Sequence, residues 1–75
     1  MRISLQWVKR SPRIRAYVER RTVHIWTDEW MAWWRPNCAG YTDEKSLAGI
    51  YSGKQAIDVS HHAGPEKQIF YEVIK

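Results

Sequence analysis

Ile3, Leu5 and Trp7 alternate with Arg2, Ser4 and Gln6, and this period-two pattern predicts a half-buried strand. Ser11-Pro12 punctuates the chain, and beyond it Ile14, Ala16 and Val18 alternate with Arg13, Arg15 and Tyr17. That alternation fits a second strand with its arginines on the outer face. A short helix over residues 13–21 fits as well, because Arg, Ala and Glu are good helix formers. The β-branched and aromatic run Thr22 to Thr27 and the run Met31 to Trp34 predict a hairpin that turns at Asp28-Glu29. Pro36 ends the hairpin, and Asn37 to Thr42 reads as a loop in which Gly40 supplies a positive φ.

Asp43 to Ala48 predicts one helical turn closed by Gly49, and Ser52 with Gln55 three residues later makes a capping box. A helix should follow from Gly53 to His61 or His62, with Ala56, Ile57 and Ser60 on one face. Gly64-Pro65 stops it. Ile69, Tyr71 and Val73 then alternate with Phe70, Glu72 and Ile74 in a closing strand. The order predicts a single α+β domain over residues 1–75, a small antiparallel sheet of about four to five strands with one helix packed on a face.

Composition sharpens this reading. A chain of 75 residues buries only about 60–65% of the surface that its unfolded form exposes, so its core is economical. Five tryptophans, four tyrosines and one phenylalanine supply much of the available apolar area. Trp7 and Ile25 fall on predicted inward faces and are expected to be core. Trp, Tyr and Arg are also the side chains most enriched at binding hot spots, so part of the aromatic load is expected at the surface. Cys38 is the sole cysteine, which excludes an intramolecular disulfide and points to a reducing, cytoplasmic setting. The first seven residues have no long apolar core, so no signal peptide is expected, and no apolar run is long enough to span a bilayer.

Charge divides the chain. Residues 1–21 hold seven basic side chains against one acid, whereas residues 22–75 hold five basic against seven acidic, and the whole carries +4. A basic face suited to phosphates or to an acidic protein surface follows; the alternative is that the arginines are merely the solvated sides of strands.

For chemistry, His24, Cys38, His61 and His62 are zinc-ligand types, but no metal-binding spacing joins them, and adjacent helical histidines diverge. Neither a metal nor a cofactor is expected. Cys38 as a nucleophile lacks any local partner, and lone cysteines of small domains are usually buried hydrophobes. Asp28 and Glu29 are explained by turn formation. No glycine-rich phosphate cradle is present, and no activity as an enzyme is expected.

The most distinctive stretch is Trp30 to Asn37 followed by Gly40-Tyr41-Thr42. In a strand Trp33 and Trp34 face opposite sides, so one ring builds the core and the other is available at the surface. Arg35 beside an aromatic suits a base, a phosphate or an acidic side chain; alternatively both rings pack and Arg35 pairs with Asp43 or Glu44. The candidate partner-binding set is Arg10, Arg13, Arg15, Tyr17, Arg20 and Arg21 on the basic segment, with Trp34, Arg35 and Tyr41 on the aromatic one.

The residues Ala32-Trp33-Trp34-Arg35-Pro36-Asn37, Gly40-Tyr41-Thr42, Ala48-Gly49-Ile50-Tyr51-Ser52 and Ala56 resemble a pattern in small proteins encoded by phages and prophages, over about residues 23–60. Chains of this size from mobile elements often neutralise host defences, CRISPR–Cas complexes among them. The resemblance implies a mobile-element protein; together with the small size, the lack of catalytic motifs and the Trp, Tyr and Arg surface candidates, it leads to the expectation of a counter-defence protein that binds and blocks a CRISPR–Cas effector in the host cytoplasm, as a monomer or weak homodimer. A small basic module that binds nucleic acid or a nucleotide signal is the alternative, with Trp33 or Trp34 stacking on bases.

Overall fold

Two six-residue strands, β2 (Thr22–Thr27) and β6 (Ile69–Ile74), pair antiparallel along their whole length at the centre of the sheet. The structure is a computed structural model that describes residues 1–74. β1 (Arg2–Ser4) flanks β6, and β3 (Ala32–Trp34) flanks β2 and carries β4 (Tyr41–Thr42) at the edge. β5 (Tyr51–Ser52) pairs with the opposite end of β2 from β3. The architecture is α+β: a six-stranded antiparallel sheet covered on one face by α1 (Leu5–Arg10), α2 (Pro12–Glu19) and α3 (Gly53–Ser60). The two extra helices and the two-residue strands β4 and β5 distinguish it from the simpler arrangement expected of the sequence.

Both extra helices lie where alternation suggests strands. The Ser4 hydroxyl accepts from the Trp7 N–H at 3.0 Å and starts α1, so the first strand ends at Ser4. Leu5 and Val8, three apart, become the buried pair, and Trp7 turns outward, 43% exposed, rather than entering the core. Ser11 accepts from the Ile14 N–H at 3.3 Å and Pro12 occupies the first turn, so residues 12–19 are helix rather than strand. Val18 is buried and Ile14, four residues earlier, half-buried on the same face. Over seven residues a period of two and a period of 3.6 share enough positions that capping decides between them. The expected α3 forms, with Ser52 accepting from the Gln55 N–H at 3.1 Å, and ends at Ser60.

Register sets the two faces of the sheet. Ile25 and Ile3 both lie opposite Tyr71, and Val23 lies opposite Val73. These residues point toward the helices, where Leu5, Val8, Val18, Ala56 and Ile57 complete one core. Tyr71 is fully buried; its hydroxyl lies 2.7 Å from Ser60 Oγ, which donates in turn to the Ala56 carbonyl at 2.6 Å. Burial drives the Tyr71 phenol up to about 12, even though the Ser60 hydrogen bond opposes the rise.

At the other end of α3 the Gly53 N–H donates to the Arg21 carbonyl, 2.6 Å away, just beyond the end of α2. A Cβ at residue 53 would lie 1.6 Å from the Val18 carbonyl oxygen, so this crossing admits only glycine.

Gly53→Ala is therefore expected to destabilise by about 1–3 kcal/mol or more through overpacking, read from chemical denaturation. Ile25→Ala should cost about 2–5 kcal/mol as a core truncation, and Trp7→Ala clearly less. A Trp7→Ala loss equal to that of Ile25→Ala would place the Trp7 ring in the core.

Candidate binding surfaces

The sheet face turned away from the helices carries His24, Trp26, Trp33, Phe70 and Glu72, as the register requires. Trp26 and Trp33 meet edge to face at 4.9 Å, and His24 meets Trp33 at 5.6 Å. The Arg2 guanidinium lies over both indoles, 4.6 Å from Trp26 and 5.2 Å from Trp33, and hydrogen-bonds Glu72 at 3.1 Å. Lys45 approaches Trp33 from the loop after β4, at 5.4 Å. Trp33 is consequently only 6% exposed although no helix covers it. Its face is sealed by the protein's own cations.

The Glu72 carboxyl is held below its ordinary 4.5. Burial alone would raise it, but the Arg2 hydrogen bond and the charges of Arg2, Lys45 and the amino terminus outweigh burial.

The hairpin end of the sheet is different. The turn between β2 and β3 is sewn to the chain before β6: Thr27 Oγ1 donates to the Lys67 carbonyl at 2.8 Å and Asp28 N–H donates to the Gln68 carbonyl at 3.2 Å. The Trp26 indole donates to the Asp28 carboxylate at 2.7 Å. Held this way, the turn presents Trp30 and Met31 to solvent, 62% and 64% exposed. Trp30 packs against Tyr41 of β4 with ring centroids 6.1 Å apart, and Tyr41 meets Trp34 at 6.4 Å with the rings nearly perpendicular. Trp30 is absent from the set derived from the sequence; its position beside turn-forming acids, where an inward side chain is not required, was the available signal.

Trp34 and Tyr41 face the helical side, but the helices make their main sheet contacts with β1, β2, β5 and β6. The overhang leaves a cavity of about 410 Å³ lined by Trp34, Cys38, Gly40, Tyr41 and Val59. Its floor loop is tightly wound, with Asn37, Cys38 and Gly40 all at positive φ. The Tyr51 hydroxyl anchors that loop, donating to the Arg35 carbonyl and accepting from the Cys38 N–H at 3.1 Å. Burial is the main cause that raises the Tyr51 phenol. Gly49 ties the segment to the sheet: its N–H donates to the Trp34 carbonyl at 2.8 Å, and its carbonyl accepts from His24 Nδ1–H at 2.8 Å. The Trp34 indole N–H is buried and has no hydrogen-bond partner among the described residues.

The basic segment is rearranged by its helix. Residues two apart on a helix point roughly 160° apart, so Arg13 and Arg15 do not share a face. Arg15 is half-buried and paired with Glu19 at 3.3 Å. Arg13 and Arg20, seven apart, share the outward side, while Tyr17 is half-buried against the core. The Arg21 guanidinium caps the Tyr17 ring at 4.6 Å, and Arg10 ends α1. Among the described residues Arg10, Arg13, Arg20 and Arg21 are exposed and form no ion pair. Arg35 is exposed too, and no bridge to Asp43 or Glu44 forms. Among the described residues no three His, Cys, Asp or Glu side chains gather as a metal site, and no helix is long and apolar enough to cross a membrane. No family model, curated protein or solved structure matches the chain.

Because the folded pKa of Glu72 lies below its unfolded value, its stabilising contribution is present above that unfolded value and lost as pH falls through the folded one. Glu72→Gln should flatten the acid side of a melting-temperature profile taken below pH 4.5. Parallel profiles for the two proteins would mean that the Arg2–Glu72 contact is not coupled to folding.

Proposed function

We propose that this protein works by docking on a larger partner, with Trp30 and Tyr41 as the anchor and Arg10, Arg13, Arg20 and Arg21 as the steering charge. The observation that carries the proposal is the Trp30–Tyr41 pair with Met31 beside it, large apolar side chains left in water by a domain that has few to spare. Exposed aromatics of this kind concentrate binding energy, and unpaired arginines accelerate encounter with an opposite charge. A standard interface hides about 800 Å² per partner, roughly a sixth of this molecule's 4840 Å² surface, so docking occupies one side of the domain.

The resemblance of residues 23–60 to phage and prophage proteins supplies the partner class. On that ground we read the chain as a counter-defence protein that blocks a CRISPR–Cas effector complex in the host cytoplasm. Its positive charge suits an acidic protein patch of the complex or the nucleic acid held there, and argues against mimicry of DNA. The unpaired arginines also favour a second reading, a module that binds nucleic acid directly; such binding weakens steeply as salt rises.

Affinity purification from host extract, with and without nuclease, separates the two readings. Under the docking proposal the effector complex is retained after nuclease, Trp30→Ala with Tyr41→Ala abolishes retention, and Arg13→Glu with Arg20→Glu slows association while circular dichroism stays unchanged. Arg15→Glu should instead act on stability, through Glu19. Loss of all captured protein on nuclease treatment, or full retention by the Trp30/Tyr41 double variant, overturns the proposal.

A further inference from the structure

We propose that the cavity between the β3–β4 hairpin and α3 is a binding site for an uncharged planar ring that carries a hydrogen-bond acceptor, the chemistry of a nucleobase. Three features define the ligand. The first is shape. Trp34 and Tyr41 wall the cavity with rings 82° apart, so a flat ring that stacks on one meets the other edge to face, the two arrangements that aromatic rings favour. The volume, about 410 Å³, lies within the range of small-ligand sites.

The second is charge. None of the lining residues Trp34, Cys38, Gly40, Tyr41 and Val59 is a Lys, Arg, Asp or Glu, so the group that enters is neutral. A phosphate attached to it stays outside the cavity.

The third is the Trp34 indole N–H. An indole nitrogen only donates, and this one is buried without an acceptor among the described residues. A buried donor left unpaired keeps its desolvation cost uncompensated, and native folds hold few of them. An acceptor on the ligand removes that cost. Phenylalanine, leucine and the other apolar side chains offer no acceptor, whereas every nucleobase carries a ring carbonyl or ring nitrogen. Because the nitrogen is buried behind the cavity wall, the ligand reaches it only with a rotation of the indole or a shift of the 36–40 loop. The site requires no docking partner and is independent of the counter-defence reading; the base comes either from a free nucleoside or from an unpaired position in a single strand.

The test is a titration of the intact protein followed by nitrogen–proton correlation spectra, in which each indole N–H gives its own resonance. Adenosine, uridine and a short oligothymidylate are the probes, with toluene as the aromatic control that offers no nitrogen or oxygen acceptor. The expected result is a downfield shift of the Trp34 indole proton while the Trp7 indole stays in place. Response to the nucleosides assigns a free ligand, and response to the oligonucleotide alone assigns a strand. Trp34→Phe keeps a ring and removes the donor, so it should bind about tenfold more weakly, as loss of one hydrogen bond predicts, with affinity read from the Val59 methyl signals. Trp34 packs against the core, so the smaller ring should lower the thermal melt somewhat, and both proteins are titrated well below that melt. No shift with any base-bearing probe, an equal response to toluene, or unweakened binding by Trp34→Phe overturns the proposal.

Discussion

The hydroxyl of Tyr71 lies at the centre of the molecule, out of reach of water, and the helical layer is arranged around it. Ser60 spends its one proton on the Ala56 carbonyl, so Tyr71 must be the donor to Ser60 Oγ. This short relay holds the last turn of α3 over β6. Gly53 does the same at the first turn, where only a residue without Cβ lets α3 approach the end of α2. With both ends fixed, the position of α3 over the sheet is no longer free, and neither is the span of sheet that the helices cover.

That span is narrower than the sheet. β1, β6 and β2 lie under helices, while the β3–β4 hairpin projects beyond them. A small domain has too little chain to cover every strand, and here the uncovered aromatic surface meets two fates. On the open sheet face Arg2, Lys45 and Glu72 close over Trp26 and Trp33, replacing a layer of structure with a layer of cations and one carboxylate. At the hairpin end nothing plays that role, so Trp30, Met31 and Tyr41 stay in water and Trp34 borders a cavity. The same deficit of chain thus yields a sealed surface and an available one.

The available surface and the basic ridge divide the work of binding as proposed here. Arginines on α2 act over distance and lose their effect with salt, whereas a packed aromatic acts only on contact and resists salt. The cavity adds a donor that needs an acceptor, a more selective requirement than either.

Local chemistry made several elements legible in the sequence. Residues 22–27 show as a strand because the run is largely β-branched and aromatic, residues 69–74 because Ile69, Tyr71 and Val73 alternate with Phe70, Glu72 and Ile74, and α3 shows because Ser52 and Gln55 mark its start. Gly40 takes its positive φ as the turn demands. The α+β class follows from these segments alone. Residues 5–19 were not legible in the same way: the alternation up to Trp7 read as strand, that after Pro12 suited strand or helix, and the choice fell to two serine caps and to a core that needed Leu5, Val8 and Val18 inward. The same choice separated Arg15 from Arg13 and put Trp7 at the surface. Which tryptophan is available was decided further still from the local chain. Trp33 is hidden because Arg2 reaches it from the far side of the sheet, held by Glu72, 70 positions later in the chain, and Trp30 is exposed because a turn tied to residues 67 and 68 points it outward. Periodicity records what a segment does with its own neighbours; exposure depends on which distant charge or strand arrives to cover it, and only the folded chain brings those together.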